Sequence, residues 1–184
     1  MDALTHAIES YITPGAWAMS DMFELKAIEM IAQNLKAAVD NGKDVVAREA
    51  MSQAQYIAGM GFSNVGLGIV HSMAHPLGAF YDTPHGVANA LLLPYVMEYN
   101  AESSAAPKYI NIAKAMGVDT TGMSEAEGVK AAIEAVKALS LSIGIPQKLH
   151  EINVKEEDIP ALAVAAFNDV CTGGNPSPSS VEDI

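Results

Sequence analysis

An all-α fold is what this sequence predicts, and three observations carry the prediction. Half of the residues are apolar while only 6% are aromatic, and the apolar ones are largely Ala, Met, Leu and Ile, which form helices or tolerate them. Several long segments repeat apolar residues with a helical period and then stop at turn residues. Nowhere is there the alternation of a half-buried strand, or a strand followed by a glycine-rich turn and a helix.

Taken in order, residues 2–12 read as a helix that stops near Pro14-Gly15. Residues 20–39 place Met22, Leu25, Ile28, Met30/Ile31 and Leu35 on a helical period closed by Asp40-Asn41-Gly42. Residues 44–60 read as a third helix. The segment Gly59 to Gly68, GMGFSNVGLG, is either a loop or a place where backbones approach closely. An apolar run to Asn100 is broken by Pro76, Pro84 and Pro94, with Pro84 suited to the first turn of a new helix. Residues 106–116 and 124–143 make two more helices, the second opened by Ser124 with Glu127 three residues later, a capping-box pattern. Gly144-Ile145-Pro146 ends it. Residues 155–169 form an acidic-fronted helix, CTGGNPSPSS is a loop of turn residues, and SSVEDI begins like one further helix.

The 184 residues fit a single domain, 1–184, able to bury about two-thirds of the surface of its unfolded chain. Both ends read as cut. Asp2 sits in the first turn of an already apolar helix with no preceding cap, and SSVEDI spans about one turn, which is marginal unless it continues. A formal net charge of −12 and the lack of any Lys/Arg cluster exclude the electrostatic footprint of nucleic-acid binding. One cysteine, Cys171, excludes an intrachain disulfide and favours a reducing compartment. With no secretory leader pattern and no membrane-spanning apolar run, the expectation is a soluble, cytoplasmic protein without membrane partners.

Asp2 and His6 stand four residues apart and share a helix face. Taken alone, such a pair more often reflects a favourable acid at a helix start and an interior histidine. Three further histidines, His71, His75 and His85, lie in GLGIVHSMAHPLGAFYDTPHG among small and apolar residues, where every buried ring nitrogen needs a partner. One oxygen and up to four nitrogens suit Fe(II) or Zn(II) better than Ca or Mg. Spacing selects His71 and His75 as ligands, at i and i+4 as in H-E-x-x-H sites, and leaves His75 and His85 competing for the fourth position. The Glu of that motif is absent, which disfavours a zinc protease. His150, at a helix end, reads as a surface residue.

Three blocks, MDALTHAIESYIT, GMGFSNVGLGIVHSMAHPLGAFYDTPHGVANALLLPYV and DVCTGGNP, resemble the C-terminal helical domain of the iron-dependent (group III) alcohol dehydrogenases across essentially the whole chain. The resemblance implies a helical metal- and substrate-binding domain whose ferrous iron is held by Asp2, His6, His71 and His85, with zinc the alternative ion. It makes His75 a non-ligand histidine facing the reaction. It also puts Phe62 and Cys171 where the substrate pocket and the nicotinamide end lie. Implied with these are NAD(H), small alcohols or diols and their aldehydes as substrates, and assembly as a homo-oligomer. Two departures stand out. The chain has Asn175-Pro176-Ser177 where the family pattern continues Asn-Pro-Arg, and the nucleotide-binding half that would hold most of the NAD is absent from these residues. The rival expectations are a helical metal-dependent hydrolase, which dinucleotide dependence would exclude, and a non-catalytic helical module, which metal content would exclude.

Overall fold

The computed structural model describes all 184 residues. Eight α-helices and no strand make up the fold: α1 (Asp2–Ile12), α2 (Ala18–Asp40), α3 (Val45–Val65), α4 (Ile69–Tyr81), α5 (His85–Tyr99), α6 (Tyr109–Ala115), α7 (Glu125–Ser142) and α8 (Ile159–Phe167), with short 3-10 turns between them. The two longest, α2 and α3, form an antiparallel hairpin, and α1 lies against both as well as against α5. On the far side α4 packs on α5 and α8, while α6 pairs with α7. No helix is long and apolar enough to cross a membrane.

α5 runs through the middle, and Ala88 to Pro94 are all buried. A helix apolar all round has no preferred outward face, so it is stable only when enclosed. Around it, Leu4, Ile8, Ile28, Val70 and Ile112 are almost wholly buried and belong to one continuous apolar cluster. Each such side chain contributes about 1.5–3 kcal/mol by leaving water. Tyr109, fully buried, meets its hydroxyl's need by donating to the Met97 carbonyl at 2.9 Å.

Several boundaries depart from the sequence expectation. The helix expected over 44–60 starts under the Asp44 cap, whose carboxylate accepts from Val46 N and Ala47 N at 3.1 Å, and it continues through the glycine-rich segment to Val65. The segment is therefore helix and not loop up to that point, and Gly61, though not Gly59, marks a close approach. A Cβ at Gly61 would sit 1.9 Å from Oε1 of Glu24 on α2. Pro84 is the residue before α5, and Pro76 and Pro94 lie inside helices. Each internal proline removes one helical N–H, but buried packing on both sides holds α4 and α5 together. The acidic-fronted segment begins with a 3-10 turn, Glu156–Asp158, before α8. SSVEDI forms a single turn, in which Ser180 N donates to Asp183 Oδ2 at 2.8 Å, and no helix. Ser124 and Glu127 cap α7 reciprocally, as expected.

Two loops prepare the site. Asp82 closes α4 in the left-handed region, φ 53°, and turns the chain so that His85 opens α5 beside α4. The segment after α8 is pinned from behind, where Asn175 and Asn100 exchange amide hydrogen bonds at 2.8 and 2.9 Å in a buried pair. Gly174 lies so close to the chain between α3 and α4 that a Cβ there would meet the Leu67 carbonyl oxygen at 1.9 Å.

Candidate metal centre

Three helices bring four ligand-type side chains together: Asp2 and His6 from α1, His71 from α4 and His85 from α5. Atoms of Asp2, His6 and His71 lie within 4.8 Å of one another. His85 Nε2 approaches Asp2 Oδ1 to 3.6 Å, close to the roughly 3.4 Å separating two donors on one tetrahedral ion with bonds of about 2.0–2.2 Å. Ring centroids of His6 and His71 are 4.2 Å apart, and those of His71 and His85 are 5.4 Å apart.

The set is one of acceptors. Asp2 Oδ1, His71 Nε2 and His85 Nε2 converge on a single amide nitrogen, Asn89 Nδ2, at 2.7, 3.2 and 3.1 Å. An amide has two N–H groups and cannot serve three acceptors at once, while its own Oδ1 is buried without a partner. Lone pairs gathered around one electropositive point, with no other donor among them, are what a borderline-soft divalent cation satisfies. The residues fit such an ion. His6 is held below the usual imidazole range first by burial and then by the neighbouring His71, and His85 is lowered chiefly by burial, with His71 and His75 adding to it. Neutral imidazoles are the form that ligates.

One carboxylate behind the site organises it. Glu9, buried on α1, accepts from Val70 N at 2.7 Å and from His71 N at 3.4 Å, both at the N-terminus of α4. Its Oε2 lies 2.6 Å from His71 Nδ1. The imidazole proton is thereby drawn to Nδ1, and Nε2 presents its lone pair to the cluster. His6 is oriented similarly, its Nδ1 lying 3.0 Å from the Asp2 carbonyl, with the Phe62 ring 4.5 Å away on its other side.

His75, which i,i+4 spacing selects as a ligand, faces elsewhere. Its Nδ1 lies 2.8 Å from Asp169 Oδ2, and its ring is parallel to that of His85 with centroids 5.5 Å apart. His85 takes the place beside Asp2 because the turn at Asp82 starts α5 there. Cys171, two residues beyond Asp169, donates its backbone N–H to Asp169 Oδ1 at 2.9 Å. Burial, together with the Asp169 carboxylate, pushes its thiol up to about 12, so it is a protonated, inert group at neutral pH. Ser177 offers its carbonyl to the Asn175 amide at 2.8 Å. His150 is exposed, as expected.

Glu9, Asn89 and Asp169 were not singled out from sequence. Two of them carry a signal there, because Asp2, His6 and Glu9 follow the i, i+4, i+7 stripe of one helix face and Asn89 stands four residues after His85. Asp169, 94 residues from His75, has none.

Comparison with known proteins adds the lineage. The C-terminal model of the Fe-containing alcohol dehydrogenase family matches residues 1–184. The chain is 61% identical over its whole length to lactaldehyde reductase of Escherichia coli (strain K12), of which it spans 47%, and 46% identical to 1,3-propanediol dehydrogenase of Klebsiella pneumoniae, again spanning 47%. Among solved structures, a 1,3-propanediol oxidoreductase superposes with a TM-score of 0.96 at 46% identity over 99% of this chain and 47% of that one. An alcohol dehydrogenase from Oenococcus oeni gives 0.96 at 40% identity, covering all of this chain and 48% of the other. The chain thus spans about half the length of the curated relatives it matches.

Proposed function

Because this chain belongs to the iron-containing alcohol dehydrogenase family, we propose that it is the metal- and substrate-binding helical domain of an enzyme interconverting small alcohols or diols with aldehydes at the expense of NAD(H). The carrying observation is the convergence of Asp2 Oδ1, His71 Nε2 and His85 Nε2 on one point, with His6 beside them and Glu9 fixing His71 from behind. Lactaldehyde and propanediol, named in its relatives, set the expected size of substrate.

Asp2, His6, His71 and His85 hold the ion in this reading, ferrous iron or, alternatively, zinc. When bound, it supplies Lewis acidity toward a substrate oxygen. Phe62 forms an apolar wall against His6, and Cys171 contributes a small neutral side chain near His75. His75 exchanges the hydroxyl proton of the alcohol through Nε2, the ring nitrogen not engaged by Asp169. NAD+, when bound, would supply the hydride acceptor, so that the overall reaction would balance as alcohol and NAD+ giving aldehyde, NADH and the proton that His75 handles. The dinucleotide is held mainly outside this helical domain, which carries no strand, glycine-rich turn and helix in succession. The unpaired cysteine supports a cytoplasmic setting.

The test separates ligands from the proton-handling residue. The protein should take up about one Fe(II) or Zn(II) per chain, and His71→Ala with His85→Ala should abolish uptake. In the full-length enzyme, since this domain alone should not turn over alcohol, His75→Ala should keep its metal and lose turnover by about a hundredfold. Unchanged uptake in the double variant, or a metal-free His75→Ala protein beside a loaded His85→Ala one, overturns the assignment.

A further inference from the structure

We propose that Asp169 is a positioning residue that selects the tautomer of His75, leaving the imidazole Nε2 bare to take up a substrate proton. The inference rests on the role given to His75 above and adds a residue to it.

Both oxygens of Asp169 are committed. Oδ2 faces His75 Nδ1 at 2.8 Å, and Oδ1 accepts the Cys171 N–H at 2.9 Å, closing an Asx turn just after α8. The turn is itself tied down. Asp169 N donates to the Ala166 carbonyl at 3.0 Å, and the Thr172 hydroxyl donates to the same oxygen at 2.7 Å. The Thr172 and Ser72 hydroxyl oxygens are 2.8 Å apart, which joins this turn to α4 three residues before His75. The Ser72 hydroxyl also reaches Oδ1 at 3.5 Å, so the donors from α4 and the turn gather on Oδ1 and Oδ2 is the oxygen that faces the imidazole.

A neutral imidazole carries a single N–H. Beside a carboxylate that accepts and cannot donate, the proton sits at Nδ1 and Nε2 keeps its lone pair. Partial burial acts to raise the Asp169 carboxyl, but the Cys171 N–H and His75 outweigh it and hold the group below the usual carboxylate range, so it remains an acceptor at neutral pH. His75 is 43% exposed in its side chain and makes no second hydrogen bond within the chain. The bare nitrogen is therefore available to a substrate.

A merely structural Asp169 would only join α8 to α4, and an isosteric Asn would do that equally well. The two roles part on one atom. In Asp169→Asn the Cys171 N–H still requires an acceptor and retains Oδ1, so the amide NH2 is forced toward His75 Nδ1. That side donates, and the imidazole proton must move to Nε2. Long-range proton–nitrogen spectra of the 15N-histidine-labelled, metal-free protein read the tautomer directly. The expected result is Nδ1–H for His75 in the parent, Nε2–H in Asp169→Asn, and Nδ1–H restored in Asp169→Glu. In the metal-loaded full-length enzyme, kcat for alcohol oxidation should fall about a hundredfold in Asp169→Asn and recover in part in Asp169→Glu. KM and bound metal should stay unchanged.

Nε2–H in the parent, or an unaltered tautomer in Asp169→Asn, overturns the proposal. If the Asn variant does not fold, the parent tautomer and the Glu variant decide it. A reversed tautomer in a full-length, metal-loaded enzyme that turns over no alcohol would instead overturn the dehydrogenase reading and leave the positioning by Asp169 in place.

Discussion

Two buried glutamates on neighbouring helices meet opposite surroundings. Glu9 on α1 is 3% exposed and faces three N–H groups, two from the backbone at the start of α4 and one from His71. Glu24 on α2 is fully buried, and neither of its oxygens has a hydrogen-bond partner. Burial pushes Glu24 up to about 8, with the Ser10 hydroxyl offsetting part of this and the Asp21 carboxylate adding to it. Ser10 is already committed to the His6 carbonyl at 2.5 Å. The difference teaches that depth alone does not decide what a buried acid does. Donors at a helix N-terminus make Glu9 an organiser of the His71 imidazole, whereas Glu24 is a space-filling neutral acid at neutral pH.

Removing Glu9 should break this comparison most severely. Glu9→Ala strands the His71 imidazole N–H and two backbone N–H groups in the interior, with an expected loss of about 3–5 kcal/mol in urea unfolding. Metal affinity should drop by roughly 10- to 100-fold, as follows when the group orienting a ligand is lost. Wild-type affinity in this variant would show that His71 needs no support.

Glu24 sharpens the comparison through pH. Its carboxyl titrates near 4.5 when free and near 8 in the fold, so between those values the native state holds a proton that the unfolded chain has released. Its contribution is intact below about pH 4.5, declines through that window by about 1.4 kcal/mol per pH unit, and is level above about pH 8. Glu24→Gln should remove that slope from a series of thermal melts at different pH. A parent stability that rises from pH 5 to 8 with the same slope in both proteins would contradict it.

The smallest effect is expected at the start of α3, the helix that carries Gly61 against Glu24. Asp44→Ala uncaps Val46 N and Ala47 N and should cost about 1 kcal/mol without altering either the metal affinity or the pH slope. A change in the slope would mean that the α2–α3 contact around Glu24 depends on the far end of the helix.

The long exposed-face helices were readable because their apolar residues recur with a clean period, as Leu25, Ile28, Ile31 and Leu35 do on α2, and because α7 carries its own capping box. The glycine segment was ambiguous for a physical reason. Gly61 is helical, and its glycine identity answers to a side chain 37 residues earlier in the chain. Pro76 and Pro94 mark breaks in local propensity that enclosure of α4 and α5 overrides. At the site, Asp2 and His6 were visible as a helical pair, but His75 and His85 could not be told apart by spacing, since the Asp82 turn that aims His85 is a three-dimensional event. The family resemblance, not the residue pattern, separated them. Asp169 lay beyond both, because the contact that gives it meaning joins α4 to the turn after α8.

The fit between Gly61 and Glu24 also has a genetic reading. With a Cβ at position 61 falling 1.9 Å from Glu24 Oε1 and 2.4 Å from its Cδ, position 61 can take a side chain only if the buried Glu24 side chain moves or shortens. Gly61→Ala alone should be poorly tolerated, and Glu24→Ala alone should leave a void costing about 2 kcal/mol or more. Together, the methyl of one fills space vacated by the other. A selection for suppressors of Gly61→Ala should therefore return shortened side chains at position 24, and a lineage that loses this glycine should reach that state through the change on α2 first.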